Sequence, residues 1–145
     1  MIRPMHPNDS EDLYRITLMS LDENFAPEVF FGFYQQWPQG QLVSCDFLNK
    51  PIGFLSSVRL IDGGARIMLL AVLPGYRGRG KGSELIDSMI IRARMEGIRY
   101  LTLEVRVENE KARKFYRGKG FAEIEVLDHY YSNGGSAVRM DLFLS

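Results

Sequence analysis

Between Arg66 and Arg94 the chain passes from an unbroken apolar run, Ile67 to Leu73, into Pro74-Gly75-Tyr76-Arg77-Gly78-Arg79-Gly80-Lys81-Gly82-Ser83, and then into residues spaced as on a helix. A strand, a glycine-rich basic turn and a helix start in that order leave little freedom of architecture. The strand must be covered on both faces, and the helix must fold back over it. Glycines at 78, 80 and 82 remove side chains, so consecutive backbone N–H groups can face a ligand. The helix N-terminus behind them carries unsatisfied donors and the positive end of a dipole. Such an arrangement binds phosphate, and Arg77, Arg79 and Lys81 add positive charge suited to a ligand with several phosphate charges.

Two common phosphate-binding motifs do not fit. A P-loop places Ser or Thr after its Gly-Lys pair, and here Lys81 is followed by Gly82, which has no hydroxyl for magnesium. A dinucleotide fingerprint built on Gly78 and Gly80 needs a third glycine at position 83, which is Ser. Eighteen basic and eighteen acidic residues balance to a net charge of zero, so neither nucleic acid nor membrane is expected as a partner, and the basic function is local. At 145 residues, 46% hydrophobic and 25% charged, the chain reads as one globular domain over 1–145. The longest apolar run has seven residues, against roughly 18 for a membrane span, and Met1-Ile2-Arg3-Pro4 lacks a signal-peptide core; a cytoplasmic protein is expected. Cys45 is the only cysteine and reads as a small core residue in a strand.

The remaining elements alternate. A short strand at 2–5 precedes a helix capped by Asn8, Asp9 or Ser10, with Leu13, Ile16, Leu18 and Leu21 on or near one face. A second helix begins near Pro27, carries Phe30, Phe33, Tyr34 and Trp37 as a core stripe, and stops at Pro38. Strands follow at about 41–47, 52–60 and 66–73, as a meander with turns at Asn49-Lys50-Pro51 and Asp62-Gly63-Gly64. The helix at about 80–96 buries Leu85, Ile86, Met89, Ile90 and Ala93 and ends at Gly97. Along 99–107, Leu101, Leu103, Val105 and Val107 face one way, and Tyr100, Thr102, Glu104 and Arg106 the other. A short helix starts at Glu108 or Asn109, and strands at about 121–130 and 136–144 form a hairpin around Ser132-Asn133-Gly134-Gly135. The expected class is mixed α/β, with one curved, mostly antiparallel sheet of six to seven strands and about four helices.

Arg77-x-x-Gly80-x-Gly82 after a strand ending in Leu70-Ala71-Val72 resembles the acetyl-CoA pyrophosphate loop of the GNAT acyltransferase superfamily. Leu103-Glu104-Val105-Arg106, Asn109, Ala112, Phe115-Tyr116 and Gly120-Phe121 continue the likeness. Leu21-Asp22-Glu23-Asn24-Phe25, Trp37-Pro38, Tyr130-Tyr131 and Gly134-Gly135 resemble the protein N-terminal acetyltransferases, including the RimI-like ribosomal-protein alanine acetyltransferases. The matches run from 21 to 142. The resemblance implies a GNAT fold, acetyl-CoA as co-substrate, no metal, and a protein or peptide N-terminus, such as that of a ribosomal protein, as the acceptor; a monomer or homodimer is expected.

It also implies roles. Leu70, Ala71 and Val72 would pair with the pantetheine arm and offer N–H groups to the thioester oxygen, while Arg77, Gly78, Arg79, Gly80, Lys81, Gly82 and Ser83 would hold the nucleotide end, and Asn109 would cap the following helix and touch CoA. Glu104 is the favoured base, an acidic residue in mid-strand, and its ordinary alternative is a salt bridge to Arg106 or Arg139. Glu23 is the rival base at the peptide entrance. Tyr116 would stand beside the CoA sulfur as general acid, or else serve as core with Phe115. Leu21, Phe25 and Tyr131 would line the pocket for the first substrate residue, with Tyr130 and Tyr131 bonding the peptide backbone. His6 and His129 suggest no metal. An α-amine is roughly 300-fold more often neutral at pH 7 than lysine, so a modest base suffices for it. Acetylation of lysine or of a small amine, and a non-catalytic acyl-CoA-binding module, are the alternatives.

Overall fold

The computed structural model describes residues 1–20 and 26–144. Among these, seven strands and four α-helices alternate: β1 (Ile2–Pro4), α1 (Ser10–Ser20), α2 (Pro27–Gln36), β2 (Gln41–Cys45), β3 (Pro51–Arg59), β4 (Ala65–Val72), α3 (Lys81–Met95), β5 (Tyr100–Arg106), α4 (Glu110–Gly118), β6 (Ala122–Leu127) and β7 (Ala137–Phe143). They make one mixed sheet in the order β1-β2-β3-β4-β5-β7-β6. Every neighbouring pair is antiparallel except β4 and β5, which are joined by the α3 crossover and run parallel.

The parallel pair creates the site. Its register couples only Ala65 with Leu101 and Arg66 with Thr102, after which the strands part and leave a fork in mid-sheet. The register of β3 on β4 shifts between Ser56 and Ser57, so that Ser56 faces Leu69 while Ser57 faces Ile67. Such a bulge bends a strand and increases its local twist. Beyond it, Met68, Leu69 and Leu70 are only partly buried, although β4 lies at the centre of the sheet.

Two cores cover the two faces. On one, Leu85, Ile86, Met89 and Ala93 of α3 pack on Leu55, Ile67, Leu101 and Leu103. On the other, Leu13 and Ile16 of α1 and Phe30 of α2 pack on Val43, Phe54 and Ala71, with Phe30 meeting Phe54 edge-on at 5.5 Å. Cys45 is buried in this second cluster, and burial pushes its thiol up. Trp37 and Phe30 of the aromatic stripe are core residues, as expected from their spacing.

Three expectations need correction. Leu18 is not on the buried face of α1: it is 48% exposed, and Thr17 takes the inward position with its hydroxyl bonded to the Tyr14 carbonyl at 2.6 Å. Asp9 does not bond within the first turn of α1. Its carboxylate accepts from the His6 N–H and pairs with Arg3, before Ser10 opens the helix. Finally, β6 ends at Leu127, so Tyr130 and Tyr131 lie in the loop before β7, where His129 takes a φ of 54° and the Gly134 N–H closes a turn on the Tyr131 carbonyl at 2.8 Å.

Candidate active site

At the end of β4 the Leu73 N–H donates to the Ile52 carbonyl of β3 at 2.9 Å. Main-chain groups alternate along a strand, so those of Leu70 and Val72 point to the opposite edge, the edge that β5 has left. The Val72 carbonyl on that edge accepts from the Ser20 hydroxyl at 3.3 Å and the Arg77 Nε at 3.0 Å. Arg77 Nη2 reaches the Ser20 carbonyl at 3.4 Å. Arg77 is therefore a clasp that ties the end of α1 to the mouth of β4 and the start of the glycine-rich turn.

That turn runs into α3. Gly78 and Gly80 both have a φ of 76°, and Gly80 is the residue that enters the helix. A side chain in this left-handed region is strained, which accounts for glycine at both positions. Gly82 is different. It lies inside the first turn of α3, where glycine costs about 1 kcal/mol relative to alanine, and a Cβ there would meet no protein atom within 4 Å. Nothing within the described chain requires glycine at 82.

These residues line one cleft of about 500 Å³, formed by Ser20, Leu70, Ala71 and Val72, the turn from Tyr76 to Ser83 apart from Arg79, and one face of α4. Arg79 instead lies over the Tyr76 ring, 5.8 Å from its centre. From α4 come Asn109, Lys111, Ala112, Phe115 and Tyr116. Asn109 caps that helix, its side-chain oxygen accepting from the Ala112 N–H at 3.1 Å. Lys111, Ala112, Phe115 and Tyr116 recur at helical spacing, and that spacing could have marked Lys111 and Ala112 as cleft residues from sequence. Lys119 joins the two walls by donating to the Ser83 hydroxyl and, at 2.9 Å, to Asp87. The cleft therefore combines a cationic, N–H-rich end with an apolar arm, which fits a long phosphorylated thioester. Among the described residues no group of three or more His, Cys, Asp or Glu is placed to hold a metal.

Tyr116 packs edge-on against Phe115 at 5.1 Å and Phe121 at 5.6 Å. Its hydroxyl has no hydrogen-bond partner among the described residues, and burial pushes its pKa up to about 12. It is a neutral phenol that keeps its proton throughout the physiological range.

Glu104 stands on β5 two residues beyond the last β4–β5 pair, on the face opposite Leu103 and Val105. It does not pair with Arg106 or Arg139. Arg139 is its register neighbour on β7, but that guanidinium goes to Glu125 at 3.1 Å and Asp141 at 3.6 Å. The partner is Arg66, missed in the sequence, whose Nη2 and Nε lie 2.6 and 2.8 Å from Glu104 Oε1. Tyr130 completes the cluster: its hydroxyl accepts from Arg66 Nη2 at 2.6 Å and donates to the same Oε1 at 3.2 Å. Burial and the neighbouring Glu104 carboxylate push the Tyr130 phenol up. Tyr131 meets Tyr130 edge-on at 5.0 Å, with the Arg106 guanidinium 4.0 Å above its ring. Leu21, Glu23 and Phe25 lie outside the described residues.

The sequence profile described as the acetyltransferase (GNAT) family matches residues 10–121. The chain is similar to N-alpha-acetyltransferase 30 of Schizosaccharomyces pombe, with 29% identity over 137 residues, covering 92% of this chain and 91% of the relative. Its fold superposes on Ard1 from Thermoplasma volcanium with a TM-score of 0.93 and 31% identity, covering 100% of this chain and 97% of the other. The NatC complex bound to Gag peptide and CoA contains a chain that superposes with a TM-score of 0.89 and 27% identity, over 100% of this chain and 98% of that one.

Proposed function

This chain belongs to the acetyltransferase (GNAT) family, and on that premise we propose that it transfers the acetyl group of acetyl-CoA to the α-amine of protein N-termini. It is an N-acetyltransferase whose co-substrate is acetyl-CoA. The observation that carries the reading is the Gly78–Ser83 cradle opening onto a forked sheet, with the cleft along the β4 side of the fork and Glu104, which is not among the residues lining that cleft, on the β5 side. Support for the acceptor comes from the relatives, named for N-alpha acetylation, and from a structural neighbour bound to both a peptide and CoA.

The chemistry is direct attack in a ternary complex. N–H groups of Gly78 to Ser83 and the α3 N-terminus hold the diphosphate, and the main chain of Leu70 and Val72 directs the pantetheine arm through the fork. The amine nitrogen bonds to the thioester carbon while the Leu70–Val72 N–H groups face the developing oxyanion. As the C–S bond breaks, Glu104 takes the proton lost by nitrogen and Tyr116 presents its own to the departing sulfur. Glu23, Leu21 and Phe25, with Tyr130 and Tyr131, would border the acceptor, and ribosomal-protein termini belong among the peptides to try.

A peptide panel with varied first and second residues tests this, each peptide offered with a free and with a formylated α-amine and one internal lysine. Mass spectrometry should place acetyl on the free terminus alone. Acetylation of the formylated peptides at lysine, or of polyamines only, would replace the α-amine reading.

A further inference from the structure

Among the described residues, every hydrogen bond made by the Glu104 carboxylate falls on one oxygen. Arg66 Nε donates to Oε1 at 2.8 Å and the Tyr130 hydroxyl does so at 3.2 Å, Arg66 Nη2 lies 2.6 Å from the same oxygen as an ion pair, and Oε2 has no hydrogen-bond partner among the described residues. Arg66 is also the last residue of β4 paired to β5, so its Cα is fixed where the fork begins. Its guanidinium spans the gap to Glu104 and, by Nη2, to Tyr130 in the loop before β7. One rigid, planar group thus sets the orientation of two others.

We propose that Arg66 is a positioning residue for acetyl transfer: it holds Glu104 by Oε1 so that Oε2 takes the proton of the amine, and it ties the Tyr130 loop to the fork. The inference rests on Glu104 as the base. It also fixes what Tyr130 can offer a substrate. The phenol hydrogen is given to Glu104 and one lone pair to Arg66, so the remaining lone pair can only accept. Tyr130 therefore receives an N–H of the acceptor peptide and does not donate to a carbonyl.

The alternative is an ion pair that merely braces the fold, with Arg66 and Glu104 half-exposed or less at 34% and 13%. A double-mutant cycle separates the two, because residues acting as a unit lose activity non-additively. Arg66→Ala, Glu104→Gln and the double variant are assayed for kcat, for peptide KM and, by calorimetry, for CoA affinity. Arg66→Ala should lower kcat about 10- to 100-fold with CoA affinity unchanged, while adding it to Glu104→Gln should cost less than about twofold more. Arg66→Lys should recover only part of the loss, because an ammonium keeps the charge without the planar fork.

Losses that multiply in the double variant, or an Arg66→Ala enzyme with wild-type kcat, would overturn the proposal. If Arg66→Ala does not fold, Arg66→Gln takes its place in the cycle under the same criteria. A wild-type chain that binds CoA but acetylates no peptide terminus defeats the acceptor reading and not this one: the cycle is then run on the amine it does acetylate.

Discussion

The two sides of the fork are built by different means. From Leu70 to Ser83 the chain offers main-chain groups, with glycines at 78, 80 and 82 and a helix N-terminus, and its side chains mostly serve to shape that backbone, as Arg77 does by clasping the Val72 and Ser20 carbonyls. Across the fork, Glu104, Arg66 and Tyr130 offer side chains set by one another. A main-chain cradle is already in place when the ligand arrives and tolerates any side chain that stays out of the way. A side-chain cluster is sensitive to each member, because removing one reorients the rest. Binding and chemistry should therefore fail independently when the two regions are mutated.

The sharpest test of that separation is Glu104→Gln. It should lower kcat about 10²- to 10⁴-fold, the usual contribution of a general base, while calorimetry shows CoA affinity unchanged. Tyr116→Phe, on the cradle side but acting on chemistry, should lower kcat by about 10²-fold, measured with the same peptide.

The same tyrosine makes a stability prediction. Its pKa is raised by burial from 10 to about 12, so the folded state holds the phenol proton more tightly than the unfolded chain. That contribution is whole below about pH 10 and is lost as pH rises through 12, an amount of order 2–3 kcal/mol. Urea melts of the wild type should show this alkaline loss, and melts of Tyr116→Phe should show a smaller one, the remainder coming from the raised Tyr100 and Tyr130 phenols.

The smallest effect isolates the cradle. Gly82→Ala adds a Cβ into open space within α3, so the folded protein should gain up to about 1 kcal/mol by thermal melting while its affinity for CoA falls. Unchanged affinity would mean that the missing side chain at 82 has nothing to do with the ligand.

The cradle side was legible because its determinants are local: the apolar strand, the glycines and the helix start lie in one short stretch, and the strand pattern and the left-handed Gly78 and Gly80 constrain the backbone by themselves. Glu104 was legible as well, since alternation along β5 set an acid opposite Leu103 and Val105. Its partner was not. Arg66 is 38 residues away, and the contact depends on how α3 returns β5 parallel to β4 and in which register, whereas sequence points to the nearer Arg106 or the cross-strand Arg139. Arg139 was lost to Glu125 and Asp141 by the fold of β6 over β7. The ends of β6 and β7 were read too long for a similar reason. Asp128 to Tyr131 carry strand-forming aromatics, yet the left-handed His129 and the turn from Tyr131 to Gly135 take the chain out of the sheet.

The measurement that bears most directly on the cradle and fork is a calorimetric titration of the chain with CoA and, separately, with pantetheine, which has the same thiol arm but no diphosphate. CoA should bind and pantetheine should bind at least about 100-fold more weakly, since the N–H groups of Gly78 to Ser83 would have nothing to grip. Equal affinities for the two, or a Gly82→Val variant that binds CoA as tightly as the wild type, would contradict a main-chain cradle for the diphosphate.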